Sequence, residues 1–563
     1  MKSGSATACA RSRPASSRFR AWRWRLCTLL PSALAAPLAA LWCAVDWPRE
    51  ESARFPGGKV LRDSSGRILR VTLDEQGRDC RPTYAADPDD WIVKALVAAE
   101  DGEFWHHCGV RPGSVLRAAW QNLCGGRRVS GASTITMQAV RRIRPHPKTF
   151  LWKAREAVMA VKMERERDKL WIVSQYLNRA PFGANLVGIE AAAEGWFGHP
   201  AKSLGLGEAA LLAGIVQAPS RFRPDRALAA ALARRDYVLA RMLALGLADA
   251  DQVAAAKAVR PRVVAERRPF LAPHYCDWAL AAGVDGSALD PEAQEICERA
   301  VASASRRGGY DVAAVVVRAA DGEVEAMAVS GDYFGGGACA QVNTAVARRS
   351  AGSTLKPFLA ELAMELGYAE PGDLLEDAPR DYSGWRPQNF DGRFRGEVTM
   401  RDALVMSLNI PFIDLLSRIG VDRFAERLVE LGFAGVKEPF EEYGLGLAVG
   451  DVEVSLLELA RAYRRFAPEA GEDLAPGRAV YEMLSGPERS QPALGHVADA
   501  LLPRFAWKTG TSSDWGDAWT VLWDSRRVVA VWCGHVAGGY GDETVVGLTA
   551  AAPVAWSIAR GLQ

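Results

Sequence analysis

Gly352-Ser353-Thr354-Leu355-Lys356-Pro357 is the stretch on which the reading of this chain turns. A serine and a lysine three residues apart share one face of a helix, so the amine can reach the hydroxyl. A serine hydroxyl is a poor nucleophile until a neighbour takes its proton. Lysine can take it only if burial and nearby positive groups lower its pKa. Pro357 fits the first turn of a helix, where proline is tolerated. Two further fragments follow in order, Ser407-Leu408-Asn409 and Lys508-Thr509-Gly510-Thr511. Each of the three patterns is found once in the chain. Lys356 is the only lysine with a serine three residues before it, and Asn409 the only asparagine with a serine two before it. Lys508 is the candidate second cation near Lys356.

These fragments, in this order, resemble the S-x-x-K, S-x-N and K-T-G set of serine acyltransferases that attack D-Ala-D-Ala peptides and β-lactams. The resemblance implies Ser353 as nucleophile, Lys356 as its base and Ser407 as the relay that passes a proton to the leaving amine. Asn409 would hold the peptide, and the Lys508-Thr509-Gly510-Thr511 segment would grip the substrate carboxylate. The N–H groups of Ser353 and Thr511 would form the oxyanion hole. Trp385-Arg386-Pro387-Gln388-Asn389-Phe390, Gly396-Glu397-Val398-Thr399 and Tyr443-Gly444-Leu445-Gly446-Leu447 resemble the transpeptidase domain of penicillin-binding proteins. They read mainly as scaffold and cleft wall.

A second constellation lies upstream. Glu100-Asp101-Gly102-Glu103-Phe104-Trp105-His106-His107-Cys108-Gly109 fits E-D-x-x-F-x-x-H-x-G, and Gly131 to Gln138 fits G-x-S-T-I-T-x-Q. Lys153-Ala154-Arg155-Glu156 fits K-x-x-E, and Lys169 to Asn178 ends in Tyr-Leu-Asn. Together they resemble the lysozyme-like peptidoglycan glycosyltransferases of family 51, densely from about Trp91 to Pro224. That resemblance implies a lipid-pyrophosphate donor and a single inversion. Such a reaction needs a general base for the acceptor hydroxyl and cations for the leaving pyrophosphate. Glu100 is the candidate base and Glu156 the second carboxylate, positioning the reaction or a metal. Asp101 would raise the proton affinity of Glu100 if the two carboxylates lie close. Ser133, Thr134, Gln138, Lys153, Arg155 and Lys169 would bind sugar hydroxyls and phosphates. His107 reads as a structural hydrogen-bonder. No metal-ligand motif stands among the seven histidines, so the residues assure no cofactor; a divalent cation, Mg or Mn, at the glycosyltransferase site is the one addition the resemblance allows. Gly125-Gly126-Arg127-Arg128 reads as a flap near the acceptor or a plain surface loop. The chain departs from the family pattern at Trp152, which replaces a basic residue, and at Ser174 and Ala132. Loss of that charge bears on donor affinity.

The chain has 563 residues and a net charge of +2. That length suits two or three domains, and the charge gives no reason to expect nucleic acid. Lys2, Arg11, Arg13, Arg18, Arg20, Arg23 and Arg25 precede an uncharged run from Leu26 to Val45. At about 1.5 Å per residue the run spans roughly 30 Å, the thickness of a bilayer core. Positive flanks stay in the cytoplasm. The expectation is an uncleaved, single-pass inner-membrane anchor with the catalytic domains in the periplasm; a cleavable signal peptide is the competing reading. Of ten cysteines, Cys108 and Cys124 are the first pair to test for a disulfide.

The expected organisation is therefore multidomain. Residues 1–50 form tail and transmembrane anchor, and 51–225 an α-rich lysozyme-like glycosyltransferase domain. Residues 226–285 form a helical connector, and 286–563 an α/β, β-lactamase-like serine-transpeptidase domain. In the connector, Leu228, Leu232, Arg235, Leu239 and Met242 form one stripe ended by Gly246, and Asp249 with Gln252 resembles the next N-cap. Ser353 and Ser407 are expected on helices. Lys508 is expected on an edge strand, with Val528 to Trp532 beside it. No C-terminal module is expected after that strand. The whole resembles a class A, bifunctional penicillin-binding protein. Ile143 to Phe150 and Arg179 to Gly183 look like its 1C branch. The resemblance implies polymerisation of lipid II into β-1,4 glycan strands and cross-linking of stem peptides, with covalent trapping by β-lactams. Its partners would be lipid II, nascent glycan strands, β-lactams, the inner membrane and other cell-wall synthesis proteins. Two alternatives stand beside this: a D,D-carboxypeptidase or β-lactamase that hydrolyses the acyl-enzyme, and a transpeptidase half that only binds β-lactams or serves as a scaffold.

Overall fold

The computed structural model describes residues 39–111, 113, 133–147, 149–264, 269–284, 288–335, 339–468, 475–486, 504–538, 541 and 543–563. The chain divides into two compact units. The first holds residues up to Val60 and Val71–Arg268; the second holds Leu61–Arg70 and Pro269–Gln563.

The first unit is built from helices. The helices that carry its motifs are α1 (Trp91–Glu100), α2 (Ile135–Ile143), α3 (Phe150–Glu166) and α4 (Lys169–Arg179). Thr134, Thr149 and Asp168 cap α2, α3 and α4 by accepting backbone N–H bonds of Met137, Trp152 and Trp171. Each cap satisfies a donor that the helix start leaves open. Leu96, Phe104, Ile135, Ile172, Tyr176 and Trp196 are wholly buried in one core. The expected connector does not stand apart. Helix Leu228–Ala244 buries Ala231, Val238, Leu239 and Met242 in this same core. Gly246 takes a left-handed φ of +67° after it, and Asp249 with Gln252 closes a capping box on helix Ala250–Ala258. The stripe at helical spacing is thus the face that packs on the first unit.

The second unit claims the hairpin around residues 61–70, which the sequence reading assigned to the glycosyltransferase domain. Leu61 and Leu69 are buried in its core. Leu271 N donates to Leu69 O at 3.0 Å, and Ser64 N to Leu289 O at 2.9 Å. The Arg70 guanidinium lies 3.6 Å over the Phe270 ring. Short hairpins gain little alone, so these tertiary contacts decide where it belongs.

The main sheet of this unit is antiparallel. Its strands are β1 (Asp311–Arg318), β2 (Val324–Val329), β3 (Ala506–Thr511), β4 (Asp517–Trp523) and β5 (Arg527–Gly534), in spatial order β3-β4-β5-β1-β2. Both faces are covered. Val315, Val317, Trp519, Val521 and Trp523 turn into one core, and Val316, Leu522, Val531 and Cys533 into another. The segment carrying Lys508 is an edge strand, as expected, but its neighbour is β4. Val528–Trp532 lies one strand further in, because the chain returns through the equally apolar Asp517–Trp523 first. Helix α5 (Lys356–Glu365) and helix α6 (Ile410–Ile419) bury their apolar residues in the first of these cores.

Among the described residues no helix is long and apolar enough to cross a membrane. Residues 39–44 of the expected anchor are helical; residues 1–38, the loop Gly125–Arg128 and Cys124 lie outside the described part.

Candidate active sites

In the second unit, Gly352–Leu355 form a 3-10 turn that runs straight into α5. Residues i and i+3 eclipse in such a turn, so Ser353 and Lys356 share a side of the chain. Thr354 Oγ1 donates to Ala351 O at 2.7 Å, and Tyr463 Oη donates to Thr354 O at 2.6 Å. Gly352 takes a φ of +53°, and a Cβ there would sit 2.6 Å from Thr511 O. Only glycine meets both demands. Ser353 itself lines a cleft of about 610 Å³, while Lys356 is wholly buried below it.

Lys356 Nζ donates to Ser407 O and to Asn409 Oδ1, both at 2.7 Å. Burial lowers its pKa from 10.5 to about 7. Desolvation by burial is the cause of that shift. The two bonds use both N–H groups of a neutral amine and leave its lone pair as the remaining site. Ser407 lies off the helices, contrary to expectation, at a φ of +58° between helix Met400–Val405 and α6. That strained position turns its carbonyl to one lysine and its hydroxyl to the other. Lys508 Nζ donates to Ser407 Oγ at 2.7 Å and to Thr509 O at 2.8 Å. Asn409 is held in turn by two groups the sequence reading treated as wall. Its backbone N donates to Asn389 Oδ1 and its Nδ2 to Gln388 O, each at 2.7 Å. Asn389 Nδ2 is anchored by buried Asp377 at 2.8 Å. Trp385 and Phe390 do line the cleft.

Ser512 N donates to Asp517 O at 2.9 Å. Thr511 is paired with Ala518, the next position in the register. Antiparallel ladders alternate, so the Thr511 N–H faces the open edge of β3, against the Gly352 backbone. Thr509, Gly510 and Thr511 line the same cleft as Ser353.

In the first unit the predicted residues fall into three clusters. Glu100 ends α1, and its Oε2 accepts from Gln138 Nε2 at 2.9 Å. Tyr176 Oη donates to Gln138 Oε1 at 3.4 Å, and Arg142 donates to Tyr176 Oη at 3.2 Å. Asp101 does not join Glu100. It is buried, and its Oδ2 contacts His107 Nε2 at 2.8 Å and accepts from Ile135 N at 3.1 Å. Adjacent residues at a helix end diverge, so Asp101 pins the start of α2. His107 is the structural hydrogen-bonder that was expected. Thr134 Oγ1 donates to Gly109 O at 2.6 Å. Lys169 Nζ donates to His107 O at 2.6 Å and to Glu164 Oε1 at 2.8 Å. Its charge is balanced there by Glu164, which the sequence reading missed.

The third cluster surrounds Glu156, also buried. Its carboxylate contacts Lys153 Nζ at 2.8 Å, His146 Nε2 at 3.3 Å and Arg141 Nε at 3.9 Å. Lys153 also donates to Ser133 Oγ. Arg141 carries no motif signal, and His146 stands in the Ile143–Phe150 phrase without a role of its own; folding brings both here. Arg155 leaves this group, with its guanidinium 5.0 Å over the Trp152 ring. Trp152, in place of the usual cation, stacks on His146 at 4.9 Å. The donor set around Glu156 does not fit a divalent cation. Both oxygens of Glu156 face cationic or imidazole nitrogens, and among the described residues no three His, Cys, Asp or Glu side chains are arranged to hold a metal ion.

Known proteins resemble both units. Residues 66–243 match the Transglycosylase family and 312–476 the Penicillin binding protein transpeptidase domain. Penicillin-binding protein 1C of Escherichia coli K12 is 36% identical over 530 residues, 89% of this chain and 68% of that protein. Penicillin-binding protein 1F of Bacillus subtilis 168 is 30% identical over 538 residues, 85% of this chain and 74% of that one. The crystal structure of penicillin-binding protein 1A from Haemophilus influenzae shares the fold at 17% identity, with a TM-score of 0.50 over 90% of this chain and 92% of that one. The chain belongs to the class A penicillin-binding proteins, bifunctional enzymes with a glycosyltransferase and a transpeptidase domain.

Proposed function

We propose that the first unit polymerises lipid II into β-1,4 glycan strands and that the second cross-links their stem peptides through an acyl-enzyme on Ser353. The observation that carries the second half is the buried Lys356 amine, its two N–H groups spent on Ser407 O and Asn409 Oδ1. The lone pair takes the Ser353 proton as Oγ attacks the carbonyl of the penultimate D-alanine. The N–H groups of Ser353 and Thr511 receive the oxyanion. Lys508, Thr509 and Thr511 hold the terminal carboxylate. Ser407, whose Oγ accepts from Lys508, gives its proton to the departing D-alanine nitrogen and regains one from the Lys356 ammonium, which restores the neutral base. An amine from a neighbouring strand then attacks the ester and frees Ser353. A penicillin would acylate Ser353 by the same first step.

In the first unit Glu100 is the base for the acceptor hydroxyl, oriented by Gln138 and Tyr176. Lys153, Ser133 and Arg141 around Glu156 face the pyrophosphate. Asp101, Thr134, His107 and Lys169 hold the frame. No step runs through a metal. The basic N-terminus and the uncharged run after it anchor the chain in the inner membrane with both catalytic units in the periplasm, where the lipid-linked donor is at hand.

The test is incubation of purified protein with lipid II, with and without penicillin, followed by mass analysis of muropeptides. Glycan with cross-linked peptides, reduced to glycan without cross-links by penicillin, supports the proposal. Peptides trimmed by one D-alanine but never cross-linked refute the transpeptidase half in favour of a carboxypeptidase.

A further inference from the structure

The Ser353 cleft carries a charge that the acylation chemistry does not use. Among the described residues lining it, Asp451 is the only one with an ionisable carboxylate or a cationic side chain. Its position is built rather than incidental. Val452 O accepts from Ala351 N at 3.0 Å, and Ser350 pairs with Glu453. These bonds lay residues 451–453 alongside the segment that leads into the nucleophile. A Cβ on Gly450 would fall 1.9 Å from Gly352 O. Only a glycine lets residue 450 come this near the backbone that leads into Ser353. Asp451 N donates to Gly446 O at 3.2 Å. A Cβ on Gly446 would stand 3.0 Å from Asp451 Oδ2, so the bare glycine leaves the carboxylate its room. The side chain is exposed, and no ion pair of its own is formed among the described residues.

The reaction brings two partners into this cleft. The donor peptide presents an anion, its terminal carboxylate, and the Lys508-Thr509-Thr511 edge is made for that. A carboxylate is the wrong group for that end of the donor. The acceptor presents a primary amine, which is an ammonium at neutral pH. An exposed carboxylate lining the Ser353 cleft, with no ion pair among the described residues, suits an ammonium.

We infer that Asp451 is an acceptor subsite: it binds the ammonium of the incoming amine next to the Ser353 ester. This rests on the reading of Ser353 as the acylated residue. Asp451 is a specificity residue. The amine must still lose its proton before it attacks, and that proton goes to Lys356 once the neutral base has been restored. The nitrogen then bonds to the ester carbonyl carbon, the bond to Ser353 Oγ breaks, and Oγ regains a proton.

The experiment measures how the acyl-enzyme partitions between water and an added nucleophile. The acyl donor is a thioester analogue of an acyl-D-alanine. Glycinamide is the cationic acceptor, and hydroxylamine, uncharged at pH 7, is the neutral one. The ratio of acyl transfer to hydrolysis is taken within each variant, so any change in acylation rate cancels. Asp451→Asn should lower the glycinamide ratio about 5-fold, the upper range for one exposed charge contact, and leave the hydroxylamine ratio unchanged. Asp451→Glu should restore most of the difference, and raised salt should shrink the wild-type advantage. Equal ratios in wild type and Asp451→Asn, or an equal fall for both nucleophiles, would overturn the subsite alone. A wild-type protein that takes up no acyl group from the donor or from benzylpenicillin would overturn the Ser353 reading with it.

Discussion

Lys356 gives the sharpest prediction. An ordinary lysine of pKa 10.5 is neutral in only about 3 molecules in 10,000 at pH 7, whereas one lowered to about 7 is neutral in about half. Burial therefore raises the supply of free base roughly a thousandfold at neutral pH. The second-order rate of acylation by a fluorescent penicillin, followed from pH 5.5 to 9.5, should climb tenfold per unit below pH 7 and level off above it. Lys356→Arg keeps a charge at every accessible pH and should lower the plateau by at least about a thousandfold. Stability supplies an independent readout. Between pH 7 and 10.5 the unfolded chain holds a proton on this lysine that the folded protein has lost. Folding therefore becomes more favourable as pH rises through that window, by on the order of 5 kcal/mol in all. Below pH 7 the full cost of burying the amine remains. Replacing the lysine by methionine should remove this pH dependence from thermal unfolding of the transpeptidase unit. A flat acylation profile, or a midpoint near pH 10, would refute the claim that burial makes Lys356 the base.

Other expectations follow from the same geometry. Ser353→Ala should abolish covalent penicillin labelling and leave glycan synthesis from lipid II intact, while Glu100→Gln should do the reverse; persistence of both activities in both variants would show the residue assignments to be wrong. Glu156→Gln removes the carboxylate that balances Lys153, His146 and Arg141. Glycan polymerisation should fall by at least about a hundredfold, with penicillin labelling unchanged. Gly450→Ala places a methyl 1.9 Å from Gly352 O at a φ of +88°, so the transpeptidase unit should lose about 2–3 kcal/mol of stability and acylate slowly, as thermal unfolding and labelling rates would show.

Some of this was legible because the chemistry is local in sequence. Ser353 and Lys356 sit one turn apart, and no distant residue has to be known to see that one can prime the other. The caps at Asp249 and the stripe from Leu228 to Met242 were readable for the same reason: helix signals repeat within a few residues. Domain ownership was not. The hairpin near residues 61–70 and the helix Leu228–Ala244 both went to a different unit from the one assigned, because burial of their apolar faces is settled by partners far away in the chain.

Sequence by itself determined the candidate groups for the chemistry: two carboxylates and their cations in one half, a serine, its lysine and a K-T-G edge in the other. Only the tertiary structure decided their states. It buried Lys356 until its amine sheds a proton near neutrality, twisted Ser407 off its helix to stand between two lysines, turned Asp101 away from Glu100, and brought His146 and Arg141 to Glu156. The physical reason is that a protonation state depends on desolvation and on neighbours in space. Neither is written in the spacing of a motif.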